Sequence, residues 1–403
     1  MYRQLRRDNE KIKDDVVGLA QELIRIPSLS LAEGALADRI EDALHDLEYN
    51  LVLRDDYGNV VGVMLEDPAG PTVLLNSHMD TVAPRSEEWE RPPFAGEIVD
   101  GKLVGVGAAD CKGGLAAQMY AGHLLHGTLL PLKGNLVFAA TVAEENGCSV
   151  GLRYLLENTL PQLDLKPTFA ILGEPTSLNL CYGHDGWVDA DLTLESESLA
   201  KVEDALKLVA RALDCTPGQA HAKGGRTIMC TRPPEFLNHD GHRAVVRVSR
   251  RLYAGESASS FIAWVQRRAE TAAAPVGGVR VGAGAHTEKQ RLYNGTTSQV
   301  KLQTEAWSTD PFDPMLDQAR EALLAAGCEC APRTWWLDRL GMGTAGSVLV
   351  NRQIPTVGFG PGEESQAHAG NESCALASLT GAVYGTAVLA HRFIGARVYG
   401  VSS

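Results

Sequence analysis

The chain has no apolar run approaching the ~20 residues that a membrane-spanning helix needs. Its opening stretch, "MYRQLRRDNEKIKDD", is charged and helical in character, without the apolar segment of a secretion signal. Its eight cysteines are scattered; they include no CxxC pair, and "CEC" at Cys328 to Cys330 is too tight for an ordinary metal knuckle. These absences predict no membrane partner and a reduced, cytoplasmic protein with free thiols. Basic excess is also missing. The chain carries 50 acidic residues against 37 Lys and Arg, a net charge of −13, so no nucleic-acid surface, which would need a basic patch, is expected. Low-complexity segments and long repeats are absent too. What remains is ordinary globular composition, 44% hydrophobic and 22% charged over 403 residues, long enough for two or three domains with a sizeable core.

From about residue 11 to 186, helical and strand patterns alternate. "DDVVGLAQELIRI" and "ALADRIEDALHDL" carry apolar residues at helical spacing, and "NLVLRDDYGNVVGVML" reads as a hairpin. The apolar strand "TVLLNSH", the helix "GGLAAQMYAGHLLH", the strand "NLVFAATVA", the helix "VGLRYLLEN" and the strand "TFAILGE" follow. Continuous apolar strands between amphipathic helices predict an α/β fold, with a mostly parallel mixed sheet covered by helices on both faces. The texture changes near Gly186. "WVDADLTLES" and "RAVVRVSRRLY" alternate as half-solvated strands do, and "LAKVEDALKLVARAL" and "SASSFIAWVQRRAE" are amphipathic helices. The order strand, helix, strand, strand, helix, strand predicts a two-layer α+β sandwich. After about residue 299 the first texture returns, with "PMLDQAREALLAAG", "IPTVGFG" and "CALASLTGAVYGTAVLAHRF". The expected organisation is one catalytic domain from residues 1–186 and 299–403, with residues 187–298 inserted as a lid.

Strand ends of the larger domain carry metal-capable side chains. "TVLLNSHMDTV" supplies His78 and Asp80, "GVGAADCKGG" ends in Asp110, "TVAEENG" supplies Glu144 and Glu145, "AILGEPT" ends in Glu174, and "GPGEESQAHAGNE" supplies His368. Ligands of parallel α/β sheets bind at the carboxyl ends of strands, so these groups can converge. One metal needs three or four such ligands, and a pair about 3.5–4 Å apart needs roughly twice that with one carboxylate shared. His78, Asp110, Glu145, Glu174 and His368 suffice for two ions if Asp110 bridges. Asp80 is then left to hold the second ring nitrogen of His78, and Glu144 to take a proton from a nearby water. Adjacent residues on a strand end point opposite ways, which lets Glu145 bind metal while Glu144 faces substrate.

With these five motifs in order, the chain resembles the di-zinc amidohydrolases and peptidases that include acetylornithine deacetylase, succinyl-diaminopimelate desuccinylase, carboxypeptidase G and aminoacylase. The resemblance implies that His78 and Glu174 hold one ion, Glu145 and His368 the other, and Asp110 both. It implies Asp80 as the group orienting His78, Glu144 as general base and acid, and a cis Asp110–Cys111 bond. The implied ions are two divalent cations, zinc by ligand type, with cobalt or manganese as substitutes. The implied activity is hydrolysis of an amide bond in an N-acyl amino acid or small peptide bearing a free carboxylate. Two other readings stay open: a pathway-specific deacylase of an unusual N-acyl or carbamoyl intermediate, and a non-catalytic metal-binding scaffold.

Two positions depart from the family pattern. Dimeric members carry a histidine early in the inserted domain that reaches the partner's site. "WVDADLTLESESLAKVEDAL" has none, which leaves open whether a homodimer through this domain completes the site; His221 is the substitute on offer. Ala345 stands in "GMGTAGSVLVN" where many relatives carry an aspartate. Taken singly, the motifs have blander readings: an acidic turn for Glu144–Glu145, an interior hydrogen-bonded ring for His78, a turn cap for Glu174, a surface loop for His368. His184, His123, His126 and the pair Trp335–Trp336 read as packing, and Cys111 as a small filler.

Overall fold

The chain is described from a computed structural model covering residues 2–395, apart from 66, 68, 129, 147, 215–228, 231–233, 238–241 and 336–342. Helix α1 (Arg3–Arg25) and helix α2 (Gly34–Asp46) come first. The hairpin β1 (Leu51–Arg54) and β2 (Val60–Leu65) follows, then β3 (Thr72–His78), helix α3 (Lys112–His126), β4 (Asn135–Thr141), β5 (Pro167–Leu172) and the short β6 (Leu180–Cys181). The inserted stretch holds β7 (Gly186–Ser196), helix α4 (Leu199–Ala212), β8 (Met229–Cys230), β9 (Glu235–Leu237), β10 (His242–Leu252), helix α5 (Ala258–Ala273) and β11 (Arg280–Ala285). After it come the hairpin β12 (Thr287–Arg291) and β13 (Thr297–Lys301), β14 (Gln303–Thr304), helix α6 (Pro314–Ala325), β15 (Pro332–Arg333), β16 (Thr356–Gly358) and helix α7 (Leu376–Ile394).

The main sheet runs β1-β2-β4-β3-β5-β16-β6-β15. Its four central strands, β4, β3, β5 and β16, are mutually parallel, and antiparallel pairings flank them. Side chains of a strand alternate between faces, and two cores result. Val73, Leu75, Leu136, Phe138, Phe169 and Ile171 face one way, onto the helices α1, α2, α3, α6 and α7. Leu74, Val137, Ala139, Ala170 and Leu172 face the other, onto Leu152, Leu155, Val348 and Leu349. Because β3 and β4 are buried on both sides, their sequences are apolar without alternation, as central parallel strands must be.

The inserted stretch is built differently. Its sheet, β8-β10-β7-β11, is antiparallel, and β9 adds to β10 and β14 to β7. Val188, Ala190, Leu192 and Leu194 of β7 bury against α4 and α5, while Asp189, Asp191 and Thr193 face the other way. This alternation is the signature of a sheet covered on one face. The hairpin β12–β13 is seated on the larger unit. Leu292 and Val300 belong to its core, and the Tyr293 hydroxyl donates to the Gly58 carbonyl at 2.8 Å.

Candidate metal centre

The carboxyl ends of β3, β4 and β5 point the same way because the strands are parallel. The residues that follow those ends are brought together there. The Asp110 carboxylate lies at the middle of the cluster. Its Oδ1 is 3.0 Å from His78 Nε2 and its Oδ2 is 3.6 Å from His368 Nε2. Glu174 Oε2 lies 3.9 Å from the same His78 nitrogen. His368 Nε2 is 2.9 Å from Glu145 Oε1. Two donor groups therefore share Asp110: His78, Asp110 and Glu174 on one side, Asp110, Glu145 and His368 on the other, each set with its donor atoms within 4.8 Å of one another. The Cys111 thiol lies with the first set but donates to the Gly173 carbonyl at 3.3 Å. The Asp110–Cys111 peptide is cis.

The five carboxylates Asp80, Asp110, Glu144, Glu145 and Glu174 are all nearly inaccessible, against two imidazoles. Burial raises the carboxyls of Glu144 and Glu145, that of Glu144 well above the usual carboxylate range, and takes Glu174 up to about 8. Burial works against charging the His368 ring, yet its hydrogen bond to Glu145 and the charges of Glu145 and Asp110 prevail and push it up to about 9. Such an excess of buried acidic donors, in two sets with one shared carboxylate, fits two divalent cations. Glu144, 7% exposed, lies beside both sets without belonging to either, and accepts a long hydrogen bond of 3.4 Å from the Ser149 hydroxyl.

The placement of Asp80 differs from the expectation. The His78 Nδ1 is 2.8 Å from the Asp80 backbone carbonyl, while the nearer carboxylate oxygen stands at 3.5 Å. The carboxylate instead accepts the N–H groups of Glu144 at 3.0 Å and Glu145 at 2.9 Å, together with the Ser30 hydroxyl at 2.6 Å. Those N–H groups sit just beyond β4, where the strand ladder no longer supplies acceptors, so a buried carboxylate is stabilised by taking them. Asp80 thus fixes both the imidazole, through its carbonyl, and the pair of glutamates, through its side chain.

Three further buried groups escaped the reading of the sequence. Glu372 accepts from the backbone of the Asp110 turn, Glu33 accepts the Ala143 N–H at 3.0 Å, and Lys112 donates to the carbonyls of Leu23 at 2.9 Å and Ile26 at 2.6 Å. Their sequence signal is faint, because a charged residue beside a motif is most simply a solvated one. His184 is a packing residue: its Nε2 accepts the Thr344 N–H at 2.9 Å, and its ring stands edge-on to Trp307 and Trp335. His123 meets the Leu47 carbonyl at 3.2 Å, away from the centre. Ala345 is buried in the apolar cluster with Trp307 and Trp335, so an aspartate there would meet apolar walls. His221 and Trp336 lie outside the described residues.

A family model for peptidases of the M20/M25/M40 group matches residues 74–391. The chain belongs to this family. The uncharacterized protein YgeY of Escherichia coli K12 is 26% identical over 390 residues, covering 90% of this chain and 91% of its own length. Succinyl-diaminopimelate desuccinylase of Wigglesworthia glossinidia brevipalpis is 32% identical over 163 residues, 40% of this chain and 43% of its own. Among solved structures, the YxeP protein of Bacillus subtilis, a dinuclear metal-binding peptidase, superimposes with a TM-score of 0.67 at 18% identity over 94% of this chain and 98% of its own. The last likeness is one of fold: helices on both faces of a mixed sheet. Membership makes the chain a metal-dependent hydrolase of amide bonds in a family with dinuclear members. Among the described residues no helix is long and apolar enough to cross a membrane.

Proposed function

We propose that this chain hydrolyses the amide bond of an N-acyl amino acid or small peptide with a free carboxylate, with His78, Asp110 and Glu174 holding one ion and Asp110, Glu145 and His368 the other. The observation that carries the proposal is the position of Asp110, with one carboxylate oxygen toward His78 and the other toward His368. When bound, two divalent ions polarise a carbonyl and lower the pKa of water. Zinc suits this donor set, and cobalt or manganese suits it as a replacement.

The remaining work falls to the chain. Asp80 holds the Glu144–Glu145 backbone so that the two side chains diverge, one to the ions and one to the reaction. Glu144 takes a proton from the attacking water and returns it to the departing amine, and its burial raises the affinity of the carboxylate for the proton it accepts. Of residues 187–298, the part from β7 to β11 serves as a lid that excludes water from this chemistry, while the hairpin β12–β13 stays seated on the larger unit. The compartment is the cytoplasm, in keeping with six free cysteines among the described residues.

Within this activity the similarity to a desuccinylase favours a second, narrower reading, removal of one particular acyl group from an intermediate. The deciding experiment combines metal analysis of the purified protein with a panel of N-acyl amino acids, carbamoyl amino acids and dipeptides. Two ions per chain with turnover of at least one amide is the expected result. Turnover of a single acyl group with dipeptides untouched selects the narrower reading. Two bound ions with no amide cleaved would overturn the proposal in favour of a scaffold.

A further inference from the structure

We infer that Glu372 is a positioning residue that ties the ligands of the second ion together, an inference that rests on the two-ion reading above. Glu372 lies four residues beyond His368 and is 3% exposed. Its carboxylate binds backbone: Oε1 accepts the N–H groups of Ala109 at 2.8 Å and Asp110 at 2.9 Å, and Oε2 accepts that of Gly107 at 2.9 Å. The Glu372 carbonyl accepts the Gly105 N–H at 3.0 Å. The whole turn from Gly105 to Asp110 is thus moulded on one residue of a remote segment.

That segment is the one bearing His368, and its other end is fixed as well. An added Cβ at Gly370 would stand 2.3 Å from the Glu88 carbonyl oxygen, and the Asn371 Oδ1 accepts the Glu90 N–H at 2.9 Å. Glu372 thus ties His368 to Asp110 by spanning the two backbones, next to the antiparallel pairing of residues 373–375 with 102–104. The first set of donors does not depend on this link in the same way. His78 is held by the Asp80 carbonyl at the end of β3, and Glu174 follows β5 in the central sheet. Loss of Glu372 loosens Asp110 for both ions but loosens His368 for the second alone.

The geometry also says which substitution probes this. The three N–H donors use both carboxylate oxygens, and a glutamine offers one acceptor and turns an NH2 group toward N–H donors. Removal of a group that orients ligands typically costs 10–100-fold in metal affinity. The experiment is a zinc titration of metal-free wild type, E372Q and E372D by calorimetry, with circular dichroism to check folding. The expected result is a second-ion affinity lowered about 10–100-fold in E372Q, with the first-ion affinity lowered by a clearly smaller factor. E372D, which keeps both oxygens, is expected to regain part of the loss. Equal weakening of both ions, or no weakening of either, overturns the inference. If E372Q does not fold, E372D is judged by the same asymmetry. A wild type that takes fewer than two ions would refute the two-ion reading instead, which keeps the two failures apart.

Discussion

On the proposed function Glu144 is the side chain on which the chemistry turns, and it can be tested without disturbing its neighbours. Replacing it by glutamine keeps the shape and the backbone N–H that Asp80 accepts at 3.0 Å, yet removes the proton carrier. A general base contributes typically 10²–10⁴ in rate. For Glu144→Gln we expect kcat on a confirmed amide substrate to fall by about that factor, with two ions per chain still found by metal analysis. A drop below tenfold, or loss of an ion, would assign Glu144 another role. At this scale the sequence was informative about which side chains gather and less so about who holds whom. His78, Glu145 and Glu174 lie at or just beyond the ends of β3, β4 and β5, where parallel strands must converge, whereas Asp110 stands in the turn before α3 and His368 ten residues beyond β16. The role of the Asp80 carboxylate is not visible in one dimension, because its partners are N–H groups 64 and 65 residues away. A spacing of two pointed to the imidazole, but unsatisfied backbone donors compete for the same oxygens and take them.

Elements bring these residues close by packing tightly where glycine allows it. Helix α3 starts straight after the Asp110 turn, and its Gly114 faces the end of β5: an added Cβ would stand 2.0 Å from the Gly173 carbonyl oxygen. That oxygen belongs to the residue before Glu174, so any relief of the clash moves a donor. Gly114→Ala is expected to destabilise the protein by about 1–3 kcal/mol, the usual cost of overpacking, seen as a lowered thermal midpoint, and to weaken zinc binding at the same time. An unchanged midpoint would mean that α3 has room to retreat. A second element-level test concerns the join between the two sheets. Burial lowers the pKa of His184 from 6.5 to about 4. Between those two values the unfolded chain binds a proton that the folded ring refuses. The stabilising effect is therefore complete above pH 6.5 and is lost as pH falls toward 4. Chemical denaturation of wild type and His184→Gln from pH 7.5 to 4.5 should show a steeper loss in wild type, approaching roughly 3 kcal/mol at the acid end. Parallel curves would sink the assignment. The alternating pattern of β7 and the unbroken apolar runs of β3 and β4 made the change of sheet type readable. The seating of the hairpin β12–β13 on the larger unit was hidden, since its anchor Tyr293 donates to a carbonyl 235 residues earlier.

The molecule confines a small part of its acidic residues to one buried cluster, and this links its stability to cations. Asp80, Asp110, Glu144, Glu145 and Glu174 are buried within one cluster. Carboxylates confined together in a medium of low polarity repel one another, and each is also deprived of hydration. The neighbouring carboxylates raise the pKa of both His78 and His368 against the cost of burial, so a proton on either ring would offset part of this repulsion. Since the unfolded chain has no preformed site, ions bind the native state selectively and stabilise it by mass action. Each site contributes about 2.7 kcal/mol when free ion stands at 100 times its dissociation constant. Exhaustive treatment with a chelator should therefore lower the thermal midpoint markedly. Titrating zinc back should raise it in proportion to the logarithm of ion concentration once the sites are filled, and magnesium at equal concentration should restore far less, because imidazole donors suit the softer ion. A midpoint indifferent to chelation would mean that the cluster is stable by its own proton sharing, and that the two sets of donors are not a metal centre at all.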